Sequence, residues 1–362
     1  MAIERASVVN LETLVAGLPG NQRQLFDRLF RIASTRGRLQ APPSMHKWIE
    51  GLFGSVAAVQ DQKIVKVTNK VTLEESLFNE LRARRPIEAK ETAQLAQVIE
   101  EARGGPFSRP LEGTPEDVFG RIKGQYSITA SNVAKYDGFH GVVVFDEFNP
   151  LVFSQEQVVD YLNTSRKWIE AARASDPGAV YPFIMWNCLW KSGASIVHGH
   201  FQVTLGRGAH YGKIEGLRQQ ALGYRNCHSS NYFDDLWSVH QSLGLGLEWS
   251  GVRLFPYLTP VKEKETLMLA SGFDESLKVA IYRALDCFVH KMGVTSFNMA
   301  IYMPPLTVTG EDWAGFPTMV RLVDRGDPLN KTADIGAMEL YAASVISSDP
   351  FRVAEALRGW FT

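Results

Sequence analysis

Apolar positions near the start of the chain recur at helical spacing. Leu11, Leu14 and Leu18 are followed by Leu25, Phe26, Leu29 and Phe30, so residues 1–50 are expected to form a helical segment. Ala41-Pro42-Pro43-Ser44 interrupts that pattern. Residues 51–75 read as short strands, most clearly Lys63-Ile64-Val65-Lys66-Val67. The spacing predicts a helix from Glu88 to Ala102, closed by Gly104-Gly105-Pro106. Ser127-Ile128-Thr129-Ala130 and Gly141-Val142-Val143-Val144-Phe145 read as paired strands, and Gln155 to Ala174 as a long amphipathic helix stopped at Asp176-Pro177-Gly178. Ile184-Met185-Trp186-Asn187 is then a strand, with 198–205 as its partner.

The second half repeats this grammar more faintly. Ser296–Tyr302 and Pro317–Val323 are expected strands, flanked by helices at 275–292 and 351–359. The fold class that follows is α+β, with antiparallel sheets flanked by helices. No low-complexity linker divides the chain, so one compact body is expected.

Candidate chemistry concentrates in Gly193-Ala194-Ser195-Ile196-Val197-His198-Gly199-His200-Phe201-Gln202. Strand side chains alternate faces, which puts His198, His200 and Gln202 on one face and Gly199, Phe201 and Val203 on the other. Two imidazoles and an amide on one face suit a phosphate group: one histidine attacks phosphorus while its neighbours bind oxygens. Gly193 and Ser195 are expected to add a backbone and a hydroxyl donor. A His-x-His pair is also a common metal half-site, but glutamine is a poor zinc ligand. A neutral imidazole is a competent nucleophile near pH 7. A covalent phosphoramidate divides one difficult displacement into two easier ones. Gln202 can donate a hydrogen bond but cannot readily pass a proton to water, which favours a phosphate acceptor over hydrolysis.

This stretch resembles the active-site motif of the histidine triad superfamily, in its nucleotidyltransferase branch. That branch holds the galactose-1-phosphate uridylyltransferases and the ATP adenylyltransferases, or diadenosine tetraphosphate phosphorylases. Asn187, Gly193, Ser195, His198, His200 and Gln202 keep the uridylyltransferase spacing, with Asn187 eleven residues before His198. The resemblance implies that His200 becomes covalently nucleotidylated, with His198 and Gln202 assisting and Asn187, Gly193 and Ser195 near the substrate. It also implies two fused histidine-triad-like units, the second degenerate because 317–323 carries no His-x-His. The boundaries expected are 1–50 for the helical segment, 51–215 for the catalytic unit and 216–362 for the degenerate one.

Further stretches match one branch or the other. Pro106-Phe107-Ser108-Arg109-Pro110, Ser131-Asn132-Val133-Ala134-Lys135 and His140-Gly141-Val142-Val143-Val144 resemble adenylyltransferase elements, which implies Asn132 and Lys135 near the nucleotide. Lys135 is equally readable as a solvated lysine. Arg82-Ala83-Arg84-Arg85-Pro86 resembles an arginine-rich uridylyltransferase element and makes Arg82 and Arg85 phosphate candidates. A basic run at a helix end is also an ordinary solvated terminus. The zinc-binding cysteine pair of several uridylyltransferases has no counterpart, and Asn149 stands where a further zinc-binding histidine would fall, so no metal site is expected. The large residue Phe201 before the glutamine is closer to the adenylyltransferase form and also occurs in GDP-hexose phosphorylases.

The reading implied is therefore ATP adenylyltransferase or dinucleoside polyphosphate phosphorylase. The alternatives are hexose-1-phosphate uridylyltransfer, GDP-hexose phosphorolysis, and a nucleotide-binding regulator without turnover. Expected partners are a nucleotide with phosphate or a sugar phosphate, and no tightly bound cofactor; Mg²⁺ is expected only with the substrate's phosphates. A net charge of -1 over 362 residues gives no support to nucleic-acid or membrane binding. The N-terminus lacks a signal-peptide pattern, and Cys188, Cys227 and Cys287 are far apart, so a cytoplasmic monomer or homodimer with free thiols is expected.

Overall fold

The computed structural model describes residues 5–79, 81, 92–330 and 332–361. Two antiparallel-rich sheets organise them. The larger has nine strands in the order β4-β5-β7-β6-β11-β12-β10-β9-β8: β4 is Ser127–Ser131, β5 Phe139–Phe145, β6 Ala179–Cys188, β7 His200–Arg207, β8 Leu247–Trp249, β9 Val252–Pro256, β10 Glu263–Ala270, β11 Phe297–Tyr302 and β12 Thr318–Asp324. The smaller has the order β1-β2-β3-β13, from Phe30–Arg38, Asp61–Asn69, Glu75–Asn79 and Ser344–Ile346.

The large sheet repeats one succession. Strands β4 and β5, the Gln155–Ser175 helix, then β6 and β7 are followed by β9 and β10, the Glu275–Asp286 helix, then β11 and β12. The spatial order 4-5-7-6 continues as its mirror, 11-12-10-9, across the antiparallel β6–β11 pair. That pair joins the halves without a break in hydrogen bonding.

One face of this sheet is covered by the two long helices. The Gln155–Ser175 helix starts at Ser154, whose hydroxyl accepts from the Gln157 N–H while the Gln157 side chain answers the Ser154 N–H. It buries Val158, Tyr161, Leu162, Trp168, Ile169 and Ala172, as the amphipathic spacing requires. These meet Phe145, Ile184, Trp186, Phe201 and Val203 from the sheet, and Met299, Ile301, Val320 and Leu322 extend the same core into the second half. Each fully buried residue of this size contributes about 1.5–3 kcal/mol, so this face fixes strand register firmly. On the opposite face, the Gly212–His228 and Tyr232–Ser242 helices cover the second half through Ile214, Leu217, Phe233 and Leu236. Over β4 and β5 that face holds only a small cluster, Ala130, Val142 and Val144, against Phe107. The motif lies beside this cluster.

Two expectations from the sequence are corrected. The segment 1–50 is not uniformly helical: the apolar run turns at Phe30 into β1, which pairs with β2 over nine residues from Phe30↔Asn69 to Arg38↔Asp61. Leu25 through Leu29 is helical and Phe30 is the first strand residue, so one apolar run serves two elements. Residues 51–60 are likewise helical (Pro43–Phe53 and Val56–Gln60) where strands were expected, and strand begins only at Asp61. The strand pairs and long helix expected from 127 to 207, and the strands near 297 and 318, lie where the patterns put them.

Candidate active site

Strand β7 opens with His200. Phe201 and Val203 enter the core while His200 and Gln202 face the other side, in register with Val144 and Val142 of β5. The expected alternation is seen from His200 to Val203, and His198 lies just before the strand. Gly199 between the histidines is required sterically: a Cβ there would come 2.6 Å from the Phe145 ring and 3.2 Å from the Glu147 carbonyl. The chain therefore passes tight against β5, and His198 reaches back to it.

Both histidines are buried and each is held by one backbone carbonyl. His198 Nε2 donates to the Phe145 carbonyl at 2.7 Å, with its ring edge-on to Phe148. His200 Nδ1 donates to the His198 carbonyl at 2.7 Å. A carbonyl can only accept, so the hydrogen of neutral His200 sits on Nδ1 and its lone pair on Nε2. Burial pushes the His200 pKa down to about 4 and also lowers that of His198. Both rings are neutral at pH 7. The Phe107 ring stands edge-on to His200 at 5.1 Å and excludes water on that side.

Gln202 is oriented by residues the sequence reading did not single out as site residues. Its Oε1 lies 3.0 Å from His140 Nε2 and 3.2 Å from the Tyr136 hydroxyl. The His140 Nδ1 is buried without a hydrogen-bond partner among the described residues. Asn132 Nδ2 lies 3.2 Å from His140 Nε2, so it is the Tyr136 hydroxyl that sets the orientation of the Gln202 amide. Desolvation raises the Tyr136 hydroxyl to about 12, so it is a donor at neutral pH. With Oε1 accepting, the amide nitrogen of Gln202 is left to donate to a substrate oxygen.

Asn187, one residue before the end of β6, lies on the same face. Its Oδ1 accepts from Asn298 Nδ2 at 2.7 Å, and Asn298 also donates to the Ser192 carbonyl. Arg325 Nη1 donates to Asn298 Oδ1 at 2.5 Å, while its other nitrogens grip Asp334 at 2.7 and 2.9 Å. This relay fixes the Asn187 amide, whose nitrogen forms no hydrogen bond among the described residues. Strand β11 and the residues after β12 thus orient a side chain supplied by the first half.

The remaining candidates divide. Ser195 is exposed and its hydroxyl forms no hydrogen bond among the described residues. Gly193 does not offer a free backbone donor as expected: its N–H closes the Trp190–Ser192 turn on the Trp190 carbonyl at 3.0 Å. Its φ of 97° is what requires glycine, so it shapes the turn instead of binding. Asn132 sits 3.2 Å from His140 Nε2, behind Gln202. Lys135 turns inward to Ser131 Oγ at 2.6 Å and the His140 carbonyl at 2.9 Å, and to Asp117, so it anchors the β4–β5 corner. Arg82 and Arg85 lie outside the described residues. His210 is buried against Trp313, with Nε2 bonded to the Met303 carbonyl, away from the motif. Trp186 is buried in the core. Among the described residues no three His, Cys, Asp or Glu side chains are grouped to hold a metal.

Neither a protein-family model nor a curated protein sequence matches this chain. Solved structures share its fold. An ADP-glucose phosphorylase from Arabidopsis thaliana, with bound ADP-glucose, is similar over 80% of this chain and 97% of its own, with a TM-score of 0.59 at 15% identity. A GalT-like protein from Arabidopsis thaliana has a TM-score of 0.58 at 16% identity, covering 71% of this chain and 92% of that one. A uridylyltransferase covers 68% and 88%, with a TM-score of 0.53 at 15% identity. The chain shares its fold with these three structures. No helix among the described residues is long and apolar enough to cross a membrane.

Proposed function

We propose that this chain is a nucleotidyltransferase working by double displacement through a nucleotidyl-His200 intermediate. The lead reaction is adenylyl transfer between a dinucleoside polyphosphate or nucleoside diphosphate and inorganic phosphate. The observation that carries it is the hydrogen bond from His200 Nδ1 to the His198 carbonyl, which leaves the Nε2 lone pair of a neutral imidazole for attack. Nε2 attacks the α-phosphorus, a P–N bond forms, and the P–O bond to the leaving phosphate breaks. The His198 carbonyl stabilises the charge that develops on the ring. The free amide nitrogens of Gln202 and Asn187 donate to the phosphoryl oxygens. A phosphate oxygen of the acceptor then displaces Nε2 and restores neutral His200.

Gln202 in place of a third histidine supports transfer over hydrolysis. His198 supports a role without protein-bound metal, since its Nε2 is committed to Phe145 and its Nδ1 is buried. Any Mg²⁺ would come with the substrate phosphates. In this reading the chain is two fused units dividing near residue 215, the first catalytic and the second supporting it.

A second reading takes a sugar nucleotide as donor, as in hexose-1-phosphate uridylyltransfer or GDP-hexose phosphorolysis. It is favoured by the fold shared with a phosphorylase that holds ADP-glucose. Incubation with α-labelled ATP, ADP-glucose, UDP-glucose and GDP-glucose separates the readings by which label becomes attached to protein. No covalent label from any of them would leave a nucleotide-binding regulator instead.

A further inference from the structure

A register row runs across the motif-bearing face of the large sheet from β7 into the second half. Gln202 of β7 pairs with Met185 of β6, Met185 with Ala300 of β11, and Ala300 with Arg321 of β12. Cross-strand partners point to the same side, so all four side chains share the face that carries His200. With strands about 4.8 Å apart, Arg321 stands about 14 Å from Gln202. At that far end lies a cavity of about 660 Å³. Its floor includes Asn298 and Ala300, the register partners of Asn187 and Met185.

The chemistry of this basin is mixed and strongly polar at its rim. Lys213, Lys262, Arg321 and Arg325 line it, together with Glu74 and Glu265. Lys262 and Arg325 are taken up by Asp334. Arg321 spends Nε on Glu265 at 2.6 Å and Nη1 on Glu74 at 2.8 Å, and its Nη2 is buried without a hydrogen-bond partner among the described residues. Lys213 is exposed and forms no ion pair among the described residues. One unsatisfied guanidinium nitrogen and one unpaired ammonium suit a phosphate. The two carboxylates beside them suit sugar hydroxyls, which donate. Gly216, on the helix that walls the basin, would place a Cβ in open space.

We propose that this basin binds a phosphorylated sugar, namely the end of the substrate that is not transferred through His200. This rests on the proposed nucleotidyl transfer. The shared chemistry has two sources: the ribose phosphate of a second nucleotide, or a hexose 1-phosphate. The row from Gln202 to Arg321 is long enough for a polyphosphate or a pyrophosphate-linked sugar to bridge both.

The test uses full-length protein, wild type and the variants Gly216→Leu and Lys213→Ala. Gly216→Leu fills the basin from a helix position with space for it and removes a helix-weakening glycine. Steady-state transfer is measured in two arms, with ATP and with α-D-glucose 1-phosphate as acceptor for the labelled nucleotidyl group. In one arm KM for the acceptor should rise about tenfold or more in each variant, with kcat changing far less, the scale of one lost charge-assisted contact. The arm that responds names the source. Unchanged KM in both arms for both variants overturns the proposal. Wild-type labelling of His200 reports separately on the transfer reading. If wild type takes no label, equilibrium binding of the same two compounds to wild type and Gly216→Leu decides. Binding lost in the variant sustains the basin alone, and absent or equal binding rejects it.

Discussion

His200 gives its Nδ1 hydrogen to the carbonyl of His198, two residues earlier on the same strand entry, at 2.7 Å. The bond is local, and Gly199 between them makes it possible by letting the chain pass against Phe145. It decides which nitrogen can attack. His200→Ala should therefore abolish covalent nucleotide labelling while far-ultraviolet circular dichroism stays that of wild type. The wild-type label should be lost in acid and survive base, as a phosphoramidate does. Full labelling of the alanine variant would sink the assignment.

Burial of neutral histidines sets the pH behaviour. Desolvation lowers His200 and His210 to about 4 and His240 to about 3, from an ordinary value of 6.5. Between about pH 4 and 6.5 the unfolded chain binds these protons and the folded one does not. Stability from these groups is thus fully present above pH 6.5 and is lost as pH falls towards 4. Each contributes a slope of up to about 1.4 kcal/mol per pH unit within that window. Urea midpoints should be flat from pH 7 to 8 and fall clearly by pH 5. The rate of His200 labelling should by contrast show no inflection near pH 6.5, because the nucleophile stays neutral. An inflection there would mean that the ring is solvated in the working enzyme.

Gln202 is fixed as a donor by what it accepts. Removing the Tyr136 hydroxyl with Tyr136→Phe takes away the donor that orients it, and a lost hydrogen bond is worth about 0.5–1.5 kcal/mol. A fall of about three- to tenfold in kcat, with KM nearly unchanged, is expected. Gln202→His supplies a group that can handle a proton, and should lower transfer to phosphate while raising the water reaction relative to it. If the partition between phosphate and water does not move, glutamine is not what selects the acceptor.

Much of this site was legible in the sequence because the informative contacts are short-range. The spacing of His198, His200 and Gln202 on a β-rich run dictates their common face, and the core face of β7 follows from Phe201 and Val203. The partners that orient them are remote: His140 and Tyr136 act on Gln202 from more than sixty residues away, and Asn298 acts on Asn187 from across the seam. His140 lies on β5, yet nothing in its local pattern distinguishes a side chain facing Gln202 from any other. Lys135 misled for the opposite reason. A lysine in a polar stretch looks available, but three nearby acceptors turn it inward. Phe30 shows the limit for the fold: helical periodicity carried on through it, while pairing with Asn69 made it strand.

The Asn187–Asn298–Arg325 relay predicts an effect from outside the first half. Asn298→Ala leaves the Asn187 carbonyl oxygen without its donor and frees Arg325 from one acceptor. Loss of one oriented hydrogen bond to the phosphoryl group should lower kcat/KM by about tenfold, near 1.4 kcal/mol. The diagnostic is comparison with Asn187→Ala and the double variant. If Asn298 acts only through Asn187, the double variant should be no worse than Asn187→Ala alone. Additive losses would show a separate role for Asn298, as a lining residue of the adjoining basin.

Gly199 offers the sharpest steric test of the motif. Its N–H donates to the Phe148 carbonyl at 2.9 Å and its carbonyl accepts from Phe145 at 3.0 Å, so the backbone is bonded to the β5 segment on both sides. An added methyl would meet the Phe145 ring at 2.6 Å, closer than real Cβ atoms come. Phe145 cannot yield easily, because it stacks on Tyr161 at 3.7 Å and packs edge-on against Trp186 and Phe201. Gly199→Ala should therefore destabilise the fold by about 1–3 kcal/mol, the range for overpacking a filled core. It should also move the His198 carbonyl relative to His200 Nδ1 and slow labelling more than the loss of folded protein explains. Chemical denaturation and single-turnover labelling on the same preparation separate the two effects. A variant of wild-type stability and labelling rate would show that β5 and β7 are not packed this closely at the motif.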